Sequence, residues 1–129
     1  MESLIKVVVL DFYECNKRLL NDVARIEKLL LRAAEVMGAT IIDHSFTRFN
    51  PKGVSGVIII AESHLAVHTW PEYGYVAVTF ETCGNTIRPW KALPYLKRQL
   101  GAKRVSQVEM SRGLFDVPRG KLPHKLSHR

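Results

Sequence analysis

Apolar residues recur along this chain with two periods, and the switches between them mark its elements. Val7 to Tyr13 is short and rich in β-branched and aromatic residues, which predicts a buried strand. From Leu19 the spacing lengthens. Leu19, Leu20, Val23, Ile26, Leu29, Leu30, Ala33, Ala34 and Met37 recur at three- and four-residue intervals, predicting an amphipathic helix. Asn16 is placed to cap it and Gly38 to end it. Ala39 to Phe49 reads as a second strand, Asn50-Pro51-Lys52-Gly53 as a turn between antiparallel strands, and Val54 to Ala61 as a third strand. Leu65 to Trp70 continues along much the same line, and Gly74 to Thr82 forms a further strand after the break at Pro71-Glu72-Tyr73. Trp90, Leu93, Leu96, Lys97 and Leu100 carry a second helix between Pro89 and Gly101, and Arg104 to Met110 a last strand.

Strand, helix, several strands, helix, strand is the order of an α+β fold. The expected architecture is a two-layer α/β sandwich, with a mainly antiparallel sheet and both helices on one face. Such a sheet leaves its other face uncovered by its own chain. If that face is apolar, a second copy should cover it, so a homodimer with sheets packing across the interface is expected.

The chain has 129 residues, 47% of them hydrophobic, which suits one globular domain over residues 1–129 with no repeat or linker. No apolar run approaches the ~20 residues of a membrane helix. Met1-Glu2-Ser3 does not open a signal peptide, so a cytoplasmic location is expected, with Cys15 and Cys83 both reduced. The formal charge of +7 raises the question of nucleic acid. Much of the excess sits at one end, in a basic tail over about 112–129 (Arg112, Arg119, Lys121, Lys125, Arg129) that Pro118, Gly120 and Pro123 mark as poorly ordered. No helix-turn-helix, zinc-finger spacing or aromatic RNA-binding motif accompanies it, and neither nucleic acid nor membrane is an expected partner.

Candidate chemistry concentrates between Glu62 and Gly84. Ser63 with His68 suggests a hydrolase, but the Gly-x-Ser-x-Gly elbow that exposes such a nucleophile is missing. His64, His68 and Glu72 suggest a metal, but no second cluster at zinc-type spacing exists, so no metal is expected. Taken singly, each of these residues suits a sheet edge or a satisfied core position; the whole constellation does not. Strand alternation places His68, Trp70 and, if Pro71 does not interrupt it, Glu72 on one face. Thr79, Glu81 and Cys83 share a face of the next strand, so a base, an aromatic platform, a carboxylate and a thiol can line one pocket. Ser63 and His68 have opposite parity; a bulge or a chain break near Ser63 would remove that objection.

Glu62-Ser63-His64-Leu65, His68-Thr69-Trp70-Pro71-Glu72-Tyr73-Gly74-Tyr75 and Thr82-Cys83-Gly84 resemble the processing and active-site signature of the prokaryotic S-adenosylmethionine decarboxylase proenzymes. Phe12-Tyr13-Glu14-Cys15, Gly38-Ala39-Thr40, Arg48-Phe49, Gly53 to Val57 and Pro89 to Ala92 extend the likeness over most of residues 11–110. The resemblance implies self-cleavage of the Glu62–Ser63 bond, giving a β chain of residues 1–62 and an α chain of residues 63–129. Ser63 would become a covalent pyruvoyl group, with His68 as proton acceptor and Ser55 steadying the cyclic intermediate. That ketone would form a Schiff base with the substrate amine and accept the electrons released by decarboxylation. Cys83 matches the proton donor to the product; Phe49 and Trp70 match positions that sandwich the adenine; Glu72 matches the ribose-hydroxyl acceptor. The implied product is the aminopropyl donor of spermidine and other polyamines.

Three departures bear on the substrate. Thr79 stands where relatives usually have aspartate, Glu81 where an aromatic is usual, and Ile5-Lys6-Val7 replaces a common Gly-Arg/Lys-His start. Glu81 near the pocket could hold the distal cation of arginine or ornithine, making a pyruvoyl-dependent decarboxylase of a basic amino acid the alternative. Otherwise Glu81 turns to solvent or pairs with a lysine. The rival of another class is an unprocessed, non-catalytic regulatory partner.

Overall fold

The computed structural model describes residues 2–84 and 87–118. In chain order the elements are β1 (Glu2–Tyr13), α1 (Val23–Val36), β2 (Thr40–Arg48), β3 (Val54–Ala61), β4 (Ser63–Trp70), β5 (Tyr75–Cys83), α2 (Ala92–Leu100) and β6 (Arg104–Phe115). The strands form one sheet in the order β2-β3-β4-β5-β1-β6, antiparallel at every pair. This is the expected α+β architecture.

Alternation along the strands sorts the side chains. Val8, Leu10 and Phe12 of β1, Ile58 and Ile60 of β3, Leu65 and Val67 of β4, and Val76, Val78 and Phe80 of β5 face the helices. There they pack with Ile26, Leu30, Ala33 and Ala34 of α1 and Leu96 and Leu100 of α2 in one core. Burial of this apolar area is the main favourable term in the fold. The other face has no helix on it. Ile59, Trp70, Val108 and Met110 remain substantially exposed there.

Three boundaries differ from the sequence expectation. The stretch read as one helix from Leu19 is divided: Leu19–Asn21 is a 3-10 turn, and α1 starts at Val23. Asn16 does cap the first turn, its Oδ1 accepting from the Arg18 and Leu19 amides at 3.1 and 3.3 Å. Asp22 caps the helix itself, accepting from the Arg25 amide at 3.1 Å. Next, Leu65 to Trp70 does not continue the line of β3. The chain reverses at Ala61-Glu62, and β4 runs back beside β3 with Ile60 opposite Ser63. No glycine, asparagine or proline marks that reversal, so the usual hairpin signal is absent. Last, β1 begins at Glu2, before Val7, and supplies pairing partners for a longer β6. Arg112, expected in the basic tail, therefore lies in a strand opposite Ile5. Residues 119–129 of that tail fall outside the described residues. Among the described residues no helix is long and apolar enough to cross a membrane.

Thr69 ties β4 to the helical layer. Its buried Oγ1 donates to the Leu20 carbonyl at 2.7 Å and accepts from the Val54 amide at 2.9 Å. Thr69→Val keeps the shape and strands both buried backbone groups, so urea unfolding should show a loss of about 2–4 kcal/mol. Cys15 gives a second handle. Burial pushes its thiol from 9.0 up to about 11. Between those values the folded chain keeps a proton that the unfolded chain has lost, so stability falls as pH rises from about 9 towards 11. In denaturant titrations across that range, Cys15→Ala should flatten the decline.

Candidate active site

The β3–β4 hairpin carries the signature residues at its two ends. At the open end Ser55 and His68 are directly opposite, with Ser55 Oγ 2.7 Å from His68 Nδ1. Ser45, Thr47, Phe49, Ala66 and this pair line a cavity of about 340 Å³. Gly56 makes room beside it: a Cβ there would lie 2.1 Å from the Phe46 ring, so only glycine lets that ring pack across β3.

Trp70 follows His68 on the same face, with ring centroids 6.3 Å apart. One side of the indole is stacked on Tyr75 at 5.2 Å, Tyr75 is stacked on Tyr13 at 5.5 Å, and the Arg104 guanidinium lies 4.7 Å from the Tyr13 ring. The Tyr75 hydroxyl donates to Asp11 Oδ1. Burial, followed by that bond and the Asp11 charge, pushes Tyr75 up to about 12, so it remains a donor throughout the neutral range. Phe49 lies at the end of β2, with β3 between it and β4. Two inter-strand spacings, about 9–10 Å, therefore separate the Phe49 and Trp70 backbones. Glu72 sits in the 3-10 turn Pro71–Tyr73, exposed; the strand alternation stops at Pro71.

The closed end of the hairpin holds the other candidates. The Glu62 carbonyl accepts from the Cys83 amide at 3.3 Å, and Ser63 pairs with Thr82, the neighbour of Cys83. Ser63 has φ 123°, a region crowded for any residue with a Cβ. Cys83 is half-buried, whereas Cys15 is held in the core. Glu81 is not available to a substrate cation. Its Oε1 accepts from Arg112 Nη1 at 2.9 Å, its Oε2 lies 3.4 Å from His64 Nδ1, and its side chain is 17% exposed. The partner is an arginine and a histidine, where a lysine or solvent was the expected alternative.

Ser63 and His68 are not brought together within one protomer. They are five residue steps apart along the strand, about 16 Å at 3.3 Å per residue. The β3–β4 and β4–β5 registers run without a shift through this stretch, so no bulge shortens the path. Pairing on both sides keeps the body of β4 between them in place, so fraying at a cut end would not close that distance. The candidate residues therefore fall into two groups, Ser55, His68, Phe49 and Trp70 towards one end of the hairpin and Glu62, Ser63 and Cys83 at the other. Sequence reasoning also missed Asp11, Tyr13, Arg104 and Arg112, which reach the site only through β1 and β6; His64 and Tyr75 lay in the signature without a role. Among the described residues no group of three or more His, Cys, Asp or Glu is gathered to hold a metal ion.

Comparison with known proteins identifies the family. The family described as S-adenosylmethionine decarboxylase matches residues 6–113. A protein of Thermosipho melanesiensis named S-adenosylmethionine decarboxylase proenzyme is 50% identical over 129 residues, covering 98% of each chain. One of the same name from Thermotoga maritima is 50% identical over 128 residues, covering 97% of this chain and 98% of its own. The crystal structure of the adenosylmethionine decarboxylase from Aquifex aeolicus superposes over 100% of both chains with a TM-score of 0.82 and 29% identity. A match of this extent means that the protein belongs to the S-adenosylmethionine decarboxylase family.

Proposed function

We propose that this chain is a self-processing, pyruvoyl-dependent decarboxylase of S-adenosylmethionine whose active sites are each built from two copies. The observation that carries the reading is the junction at Glu62–Ser63. The carbonyl to be attacked accepts a hydrogen bond from the Cys83 amide, and the serine beside it has an unfavourable φ. Negative charge developing on that carbonyl oxygen would meet a donor already in place.

In processing, the Ser63 hydroxyl adds to the Glu62 carbonyl and the C–N bond breaks, leaving an ester. Removal of the Ser63 Cα proton then expels the Glu62 carboxylate, and water replaces the nitrogen, which leaves as ammonia. His68 is the base for the Cα proton and Ser55 holds its ring. Once formed, the pyruvoyl ketone supplies the electron-accepting group that decarboxylation of an α-amino acid requires. The Cys83 thiol returns a proton to the product carbon. The exposed side of Trp70 and the Phe49 ring receive the adenine, and the Glu72 carboxylate the ribose hydroxyls. The basic-amino-acid alternative loses its motive, because Glu81 is engaged by Arg112 and His64.

His68 lies too far from Ser63 of its own chain to act on it. The face opposite the helices carries exposed apolar side chains that its own chain does not cover, and a second copy packed against it supplies the missing half. A two-fold axis running across the strands between two such sheets brings the closed hairpin end of one copy to the open end of the other. Ser63 and Cys83 of one chain then meet His68 and Ser55 of its partner.

Denaturing mass measurement should find two fragments divided after Glu62, the second with a blocked N-terminus, and the cut protein should release carbon dioxide from S-adenosylmethionine but not from arginine or ornithine. Cys83→Ala keeps the backbone amide, so cleavage should persist while turnover falls about 10²-fold or more. Ser63→Ala and His68→Ala chains should each lack pyruvoyl alone, yet form it when co-expressed, on the His68→Ala chain. No pyruvoyl in the mixture would eliminate the shared site.

A further inference from the structure

His64, Glu81 and Arg112 come from three strands and meet on the sheet face away from the helices. Glu81 and His64 are cross-strand partners on β5 and β4. Arg112 of β6 pairs with Ile5 of β1, which itself pairs with Cys83, and its guanidinium spans β1 to reach Glu81. Each carboxylate oxygen has its own partner, Oε1 the arginine and Oε2 the histidine, so the group is held in one orientation. Its ladder neighbours Val7 and Met110 are apolar and offer no competing charge.

The place of this cluster in the chain gives it a task. His64 is the residue after Ser63. While the chain is continuous, the hairpin holds the start of β4 covalently through Glu62. Cleavage removes that tie and turns position 63 into a chain terminus, and strand ends without covalent or side-chain anchors fray. A reacting group at such an end needs another tether, because loss of a fixed geometry by about 1 Å can cost about 10²-fold in rate. The ladder contacts to Ile60 and Thr82 are local backbone ties. His64 is the first side chain past the cut, and Glu81 is the group that engages it.

We propose that Glu81, itself clamped by Arg112, is a positioning residue that anchors the new α-chain terminus through His64 and keeps position 63 registered in the sheet after cleavage. This rests on the self-processing reading above. It also explains why a carboxylate can stand at position 81 without serving the substrate.

The test compares Glu81→Leu in cut and uncut protein. In the cut form, amide exchange over residues 64–67 should quicken about tenfold. In the uncut Ser63→Ala background the same substitution should leave it unchanged. Turnover per pyruvoyl group should fall about tenfold with KM within about twofold, and Glu81→Gln, which retains the shape and an accepting oxygen, should recover part of it. Wild-type exchange and turnover in cut Glu81→Leu would overturn the proposal. So would equal loosening in the uncut background, which marks a purely structural role, or a failure of Glu81→Leu to cleave, which moves the cluster into processing. A wild-type chain that never cleaves would instead defeat the functional reading itself.

Discussion

The pairing of β3 with β4 across the Ala61-Glu62 reversal is the constraint on which the rest of the molecule depends. It sets Ser55 opposite His68 at one end and leaves Ser63 at the tip of the other. Backbone hydrogen bonds at every second residue make that register hard to slip, and a shift by one would turn Leu65 and Val67 out of the core. The hydrophobic core therefore enforces the geometry of the chemistry. Because the strand is regular, the distance between serine and histidine is set by residue count and not by side-chain choice.

From that distance follows the division of labour across the sheet. The helical face is saturated with apolar contacts and is responsible for stability. The opposite face carries Ser55, His68, Trp70, Glu81 and Cys83 together with apolar side chains that its own chain does not cover. Combining a binding face with an active face is economical in a chain of this size, since one core supports both. Under the proposed mechanism it would also make catalysis depend on association, because neither end of the hairpin holds both Ser63 and His68.

The edges of the sheet matter as much as its middle. β6 closes one side, and its length decides whether Arg112 is a loose basic residue or a clamp on Glu81. The ladder Arg104–Tyr13–Tyr75–Trp70 runs inward from the same strand and braces one face of the indole. Both devices cross β1, the strand inserted between β5 and β6. An element far from Ser63 in sequence thus supports each end of the hairpin.

Much of this was legible in the residues themselves. The two periods of apolar spacing identify the helices and most strands, since burial on one face imposes the spacing directly. The run from Glu62 to Gly84 carries the family resemblance and, with it, the proposed reactive residues, because self-cleavage and decarboxylation need particular functional groups. The reversal at Ala61-Glu62 was not legible: it uses neither glycine nor asparagine, and strand-forming residues resume directly after it. The true lengths of β1 and β6 were hidden for a related reason, as each exists by pairing with the other. Parity could say that Ser63 and His68 point to different faces; only the register could say how far apart they lie. Local sequence thus determined which groups are present and which face each prefers. Tertiary structure decided which of them meet, because hydrogen-bonded pairing joins segments that carry no record of one another in their own composition.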